Sequence, residues 1–167
     1  LAHPLDDAYH RERTPDLEKI NVPFLSAANW GGHGLHTRGN FEAFMRAPSK
    51  HKWLEAHGDT HWLEFYTDYG VRLQKRFFGH FLKGEDTGWE QQPRVSLNIR
   101  HPGEKFELRA ESEWPLARTR WTKYFLQPDG CGLAIDEPAI ESTLSYETTG
   151  DGLTFRTLPM NRSLEIT

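Results

Sequence analysis

His61 stands in the stretch Ala56-His57-Gly58-Asp59-Thr60-His61-Trp62, directly behind a short apolar run. An imidazole changes charge near neutral pH and can take and return a proton, so in such a loop it suits the work of a general base. A second turn of similar placing, Trp30-Gly31-Gly32-His33-Gly34, follows an earlier apolar run. In open α/β sheets, reactive groups gather in loops beyond the carboxyl ends of the strands. If the two runs are parallel neighbours, both loops reach one rim, where the acid and base of a catalytic triad are delivered. The chain holds nine histidines, so spacing alone leaves open that His61 is an ordinary polar loop residue.

Two other chemistries fit less well. His33, His36, His57 and His61 together suggest a zinc site. However, there is no His-x-x-x-His pair on a helix, no cysteine pair and no carboxylate at a diagnostic spacing. His57 and His61 are separated by a glycine-containing loop rather than lying on a helical face, so no metal is expected. The phosphate loop and the dinucleotide fingerprint are also absent, and Gly31-Gly32-His33-Gly34 reads as a plain turn rather than an anion cradle. No cofactor is expected.

A nucleophile is missing. No Gly-x-Ser-x-Gly elbow occurs anywhere in the 167 residues. That strained strand-to-helix turn is what presents a serine hydroxyl beside its base. Ser26 falls inside an apolar run, and Ser49, Ser96 and Ser112 lack the strand-turn-helix setting.

The elements that would position these loops can be read from period and punctuation. Val22-Pro23-Phe24-Leu25-Ser26-Ala27-Ala28, bounded by Asn21 and Asn29, suits a fully buried strand. From Thr37 a helical pattern places Phe41, Phe44 and Met45 on one face, and Pro48 stops it. Lys52 to His57 reads as a second strand. Two strands joined through a helix make a βαβ unit, with the strands expected parallel and adjacent. From about Tyr66 to Lys83 a long helix is expected, with Leu73, Phe77, Phe78, Phe81 and Leu82 as one core-packing stripe and Gly84 as its stop. Upstream, Asp7 to Arg13 reads as a polar helix ended by Thr14-Pro15.

Beyond residue 93 the texture changes to short strands. Val95, Leu97 and Ile99 alternate with polar residues, as in a half-buried strand turned by His101-Pro102-Gly103. Further strands are expected near Lys105–Arg109, Arg120–Gln127, Thr143–Glu147 and Leu153–Thr157. Turns fall at Pro128-Asp129-Gly130 and Gly150-Asp151-Gly152.

Composition narrows the function classes. The formal net charge is -4 and no Lys/Arg run reaches five residues, so no nucleic-acid partner is expected. No apolar run approaches the length of a membrane span, so no membrane association is expected. Cys131 is the single cysteine, which rules out an intrachain disulfide and suits a reducing, cytoplasmic setting.

Several stretches carry a family likeness in combination. They are Ile20-Asn21-Val22-Pro23-Phe24-Leu25 with Asn29-Trp30-Gly31; His3-Pro4-Leu5-Asp6-Asp7 with Tyr9; and Lys52-Trp53-Leu54-Glu55 running into Gly58-Asp59-Thr60-His61-Trp62. Further along come Gln74-Lys75-Arg76-Phe77-Phe78, His80-Phe81-Leu82-Lys83-Gly84, Pro93-Arg94-Val95, and Glu113-Trp114-Pro115 with Trp121. In this order, and over nearly the whole chain, they resemble the CocE/NonD family of serine hydrolases, which are cocaine esterase-like and X-Pro dipeptidyl-peptidase-like.

The resemblance implies an α/β fold that turns mostly β. Residues 1–92 would be the C-terminal segment of an α/β-hydrolase domain, and residues 93–167 the beginning of a jelly-roll-like β-sandwich. It implies His61 as the general base, a nucleophilic serine upstream of Leu1, and a sandwich that continues past Thr167. The family pattern after the first strand is Gly-Trp-x-Asp, whose Asp is the triad acid. Here Asn29-Trp30-Gly31-Gly32 puts Gly32 in its place, and Gly cannot orient an imidazole. Asp59 and Glu64, both close to His61 in sequence, or a carboxylate from another part of the parent chain, are the candidate substitutes, with Asp59 the candidate catalytic residue. Trp30, Trp62 and Tyr66 flank the two loops and are candidate walls for an ester or amide substrate.

Two readings follow. One is part of an ester- or amide-cleaving serine hydrolase that carries the base without the nucleophile. The other is a non-catalytic, β-rich binding or assembly module. On the first reading, strands separated from a larger sheet leave unpaired edges, so self-association or association with the rest of a parent chain is expected.

Overall fold

The computed structural model describes residues 2–32, 36–58, 60 and 62–166. They fall into two compact units, Leu1–Leu116 and Ala117–Thr167.

The first unit is built on a four-stranded sheet. It opens with a short helix α1 (Ala8–Arg13), whose start is capped by Asp7 accepting from the Tyr9 and His10 backbone N–H groups. Strand β1 (Phe24–Asn29) leads through helix α2 (Thr37–Arg46) to strand β2 (Lys52–His57). A short helix α3 (Leu63–Tyr66) and a long helix α4 (Asp68–Lys83) follow, then strands β3 (Val95–His101) and β4 (Lys105–Glu111). The strand order is β1-β2-β3-β4; β1, β2 and β3 run parallel and β4 returns antiparallel to β3. The expected βαβ unit is thus present, with Leu25 opposite Trp53 and Asn29 opposite His57. The sheet runs across position 93, because β3 pairs with β2.

Period-2 alternation sorts the strand residues onto two faces. On the α2 side, Ala28, Leu54, Ala56, Val95 and Leu97 pack with Phe41, Phe44 and Leu116. On the α4 side, Trp53 packs with Leu73, Phe77 and Trp89. This second core is aromatic: the ring centroids of Trp53 and Trp89 lie 5.2 Å apart, and those of Phe77 and Trp89 5.1 Å apart. Edge-to-face contacts of this kind add to the area that the rings bury. Helix α4 ends where Gly84 takes a left-handed conformation, φ 68°, as expected of that glycine.

Two apolar stripes are narrower than their sequence pattern. Leu73, Phe77 and Phe81 face the sheet, but Phe78 and Leu82 are exposed. Each lies about 100° further round the helix than Phe77 or Phe81, beyond the sector the sheet can cover. Met45, next to buried Phe44, is exposed for the same reason. Strand β3 departs the other way: Val95, Ser96 and Leu97 are all buried, because its first residues lie between β2 and β4. Strand β4 runs two residues past the expected Arg109.

In the second unit the described strands are β5 (Phe125–Gln127) and β6 (Gly132–Ala134), an antiparallel pair. The turn between them holds Gly130 at φ 75° and Cys131 at φ 55°. The strand expected over Arg120–Gln127 is confined to its last three residues. Those expected near Thr143–Glu147 and Leu153–Thr157 do not form; Arg156 alone makes an isolated bridge, to Gly132. Alternating side chains make a strand only where a neighbour supplies backbone partners, and here β5 and β6 use each other. No described residue of this unit is buried, and Trp121, Ile140, Leu158 and Ile166 are strongly exposed. No described helix of either unit is long and apolar enough to cross a membrane.

Candidate active site

The two loops singled out in the sequence leave the sheet at one rim. Asn29 ends β1, His57 ends β2, and the two are register partners in a parallel pair. The 3-10 turn Trp30–Gly32 and the segment after His57 therefore start side by side. His61, Asp59 and His33 themselves lie outside the described residues.

The chain on either side of His61 is held by close contacts. A Cβ on Gly58 would fall 2.5 Å from the Phe106 ring of β4, so the backbone passes directly against that ring. Past Trp62, Thr67 caps α4: its hydroxyl donates to the Glu64 carbonyl at 2.8 Å and accepts from the Gly70 N–H at 3.1 Å. A Cβ on Gly70 would lie 1.9 Å from the Glu64 carbonyl oxygen, so only glycine lets α3 and α4 meet this closely.

The Trp30 turn is anchored too. The Trp30 indole donates to the Asn98 carbonyl at 2.6 Å and its ring stacks on Phe41, 5.5 Å between centroids. The Thr37 hydroxyl donates to the Asn29 carbonyl, tying the start of α2 to the end of β1. Trp30 is half-buried, whereas Trp62 and Tyr66 are exposed. Gly32, at the position where the family pattern has an acid, closes the 3-10 turn.

On the α4 side of the sheet, next to this rim, lies a pocket of about 370 Å³. Its apolar wall comes from Leu25, Ala27, Phe77 and Phe78. Its polar end comes from Glu55, His57, Glu64 and Tyr69. Trp30, Trp62 and Tyr66 are not among its lining residues.

The polar end contains a pair that the sequence reading passed over. Glu55 Oε2 and His57 Nδ1 are 2.9 Å apart, and both side chains are 4% exposed. Burial pushes the Glu55 carboxyl up, outweighing the downward pull of His57. For His57, burial alone would pull the imidazole down. The hydrogen bond and charge of Glu55, with smaller help from Glu64 and the Thr60 backbone, leave it raised. The Tyr69 phenol is pushed up to about 12 by burial and by the charges of Glu55 and Glu64, so at neutral pH it keeps its proton and can donate. The available signal was two titratable residues two apart in an otherwise apolar strand, which period 2 puts on one face. A carboxylate on Nδ1 fixes an imidazole's tautomer and ring orientation, leaving Nε2 to act elsewhere.

No family model matches the chain, and no curated protein matches it. Two crystal structures of a CocE/NonD family hydrolase from Staphylococcus aureus do match, each with a TM-score of 0.74 and 35% sequence identity. The likeness covers 81% of this chain in one case and 80% in the other. The chain spans only 24% of the length of those proteins. Shared fold and shared sequence run together over four-fifths of its residues, and on that ground the chain belongs to the CocE/NonD family of hydrolases.

Proposed function

We propose that this chain is the part of a serine hydrolase that delivers the general base, His61, to a nucleophilic serine carried by another segment of the polypeptide. The observation that supports this reading best is the register of Asn29 with His57. It starts the Trp30 turn and the His61 loop at one rim of a parallel sheet, in a chain of hydrolase family.

In this reading His61 takes the proton of the serine hydroxyl as the oxygen attacks an ester or amide carbonyl. It returns that proton to the departing alcohol or amine, leaving an acyl-serine. A water molecule then attacks the acyl carbon, His61 takes its proton, and the acid product leaves with the serine restored. Asp59 serves as the substitute acid in place of the absent side chain at Gly32. Trp62 and Tyr66, exposed near the same loop, serve with Trp30 as substrate walls. Residues 1–92 are then the hydrolase segment, and the stretch from 93 onward leads by way of the β3–β4 hairpin into a jelly-roll-like sandwich.

The test is an aryl-ester assay of the full-length protein bearing this segment, beside its His61→Ala variant. Loss of turnover by about 10⁶-fold is expected, as for removal of the histidine of a triad. Undiminished turnover would overturn the assignment of His61. A protein inactive despite an intact serine elbow would favour the non-catalytic binding module.

A further inference from the structure

We propose that the pocket between the sheet and α4 is a binding site for a small amphipathic amine, its ammonium head held by Glu55 and Glu64 and its apolar body lying against Phe77 and Phe78. Such a site goes beyond the hydrolase reading and does not depend on His61.

Shape and lining make a ligand site possible. The volume of about 370 Å³ falls in the range of small-molecule pockets. Leu25 and Ala27 of β1 line one side, and Phe77 and Phe78 of α4 the other. Ala27 stands opposite Glu55 in the β1–β2 register, and it is exposed. Register partners share a face, and a single methyl at position 27 fills little of the space beside the Glu55 carboxyl.

The polar end sets the chemistry of the head. Glu55 is 3% exposed and lines the pocket. Its Oε2 is engaged with His57 Nδ1 at 2.9 Å, but its Oε1 has no hydrogen-bond partner among the described residues. Buried polar atoms are normally satisfied, and an ionised carboxylate can only accept, so the missing partner is a donor. Glu64 brings a second carboxylate to the same end, and no lysine or arginine lines the pocket. His57, the one side chain there that can carry positive charge, is already committed to Glu55. Two carboxylates against one imidazole leave a place for a cation. Tyr69, which keeps its proton at neutral pH, adds a neutral oxygen that can accept. An ammonium has three donors to set against these acceptors. A carboxylate head would meet like charge, and an alcohol would leave Glu64 without a counter-charge.

The experiment is isothermal titration calorimetry on the full-length protein with three probes that share a phenyl body: 2-phenylethylammonium, 2-phenylethanol and 3-phenylpropionate. It compares wild type with Glu55→Gln, Glu64→Gln and Ala27→Phe, with thermal unfolding recorded for each. The ammonium should bind wild type at one site, about tenfold or more tighter than the alcohol, and the carboxylate weakest of the three. Each Gln variant should weaken the ammonium by about tenfold. Ala27→Phe puts a ring opposite Glu55 at an exposed position and should abolish binding at an unchanged unfolding temperature. Equal affinity for the three probes would overturn the proposal, since the carboxylates would then play no part. So would ammonium binding that survives Ala27→Phe, which lies elsewhere, and so would absence of binding, as when another stretch of the parent chain fills the pocket. Should Glu55→Gln fail to fold, Glu64→Gln and Ala27→Phe decide by the same criteria.

Discussion

Glu55 and His57 face the same side of β2, joined by a 2.9 Å contact between Oε2 and Nδ1 inside a predominantly apolar layer. The contact joins the middle of the sheet to the rim where the two loops begin. It is the only stretch of β2 where charge interrupts the apolar wall facing α4: Trp53 precedes it and the chain leaves the strand after it.

The pair makes stability depend on pH in one direction. Both groups hold their protons more tightly in the folded chain. The contribution of His57 is therefore complete below 6.5, imidazole's ordinary value, and is lost as pH rises through its raised folded value. Glu55 adds a loss of the same sign beginning above its ordinary 4.5. The unfolding temperature of wild type should thus fall as pH rises across this span, and that of Glu55→Leu/His57→Leu should fall less. Parallel curves from circular dichroism would contradict the linkage.

Glycine at position 70 is required by geometry, whereas glycine at 39 is not. Gly70→Ala would drive a methyl into the Glu64 carbonyl and should destabilise by about 1–3 kcal/mol. Gly39 lies within α2 with nothing within 4 Å of an added Cβ, so Gly39→Ala should stabilise by about 0.5–1 kcal/mol. Denaturant midpoints that move in the same direction for both would count against the α3–α4 packing described here.

Trp30→Phe keeps a ring to stack on Phe41 but removes the indole donor to the Asn98 carbonyl. A loss of about 1 kcal/mol or somewhat more is expected. Hydrogen exchange should speed up in the Trp30 turn and at the start of α2. An unchanged exchange rate there would show that the stacking alone holds the turn.

Among the described residues, strand β1 has a hydrogen-bonded neighbour on one side only, and the second unit leaves Trp121, Leu158 and Ile166 exposed. We expect the isolated chain to associate in a concentration-dependent way through such edges and surfaces. Sedimentation velocity giving one compact monomer at all concentrations would refute this.

The elements that came straight from the sequence are those set by local rules. The run Val22–Ala28, the helix from Thr37 stopped at Pro48, the strand Lys52–His57 and the long helix capped by Gly84 each carry their own period and punctuation. Their pairing followed from the short connection through α2. What the sequence hid depends on which neighbour covers which side. Phe78 and Leu82 share the composition of the α4 stripe but not its direction. Thr143–Glu147 and Leu153–Thr157 have strand-like residues without strand partners. Glu55 reads as one more polar residue until α4 closes over its face and leaves it beside His57.

The edge-to-face contact of Trp53 with Trp89 gives the chain an internal optical gauge. These indoles are 5% and 1% accessible, while Trp62 and Trp121 are 61% and 79% accessible. A collisional quencher such as acrylamide should extinguish the second pair first. The residual, blue-shifted emission then comes from Trp53 and Trp89 in the layer between sheet and α4, together with the half-buried Trp30 and Trp114 on the α2 side. Loosening of that layer could be timed by the arrival of quenching at the inner indoles, with no label added.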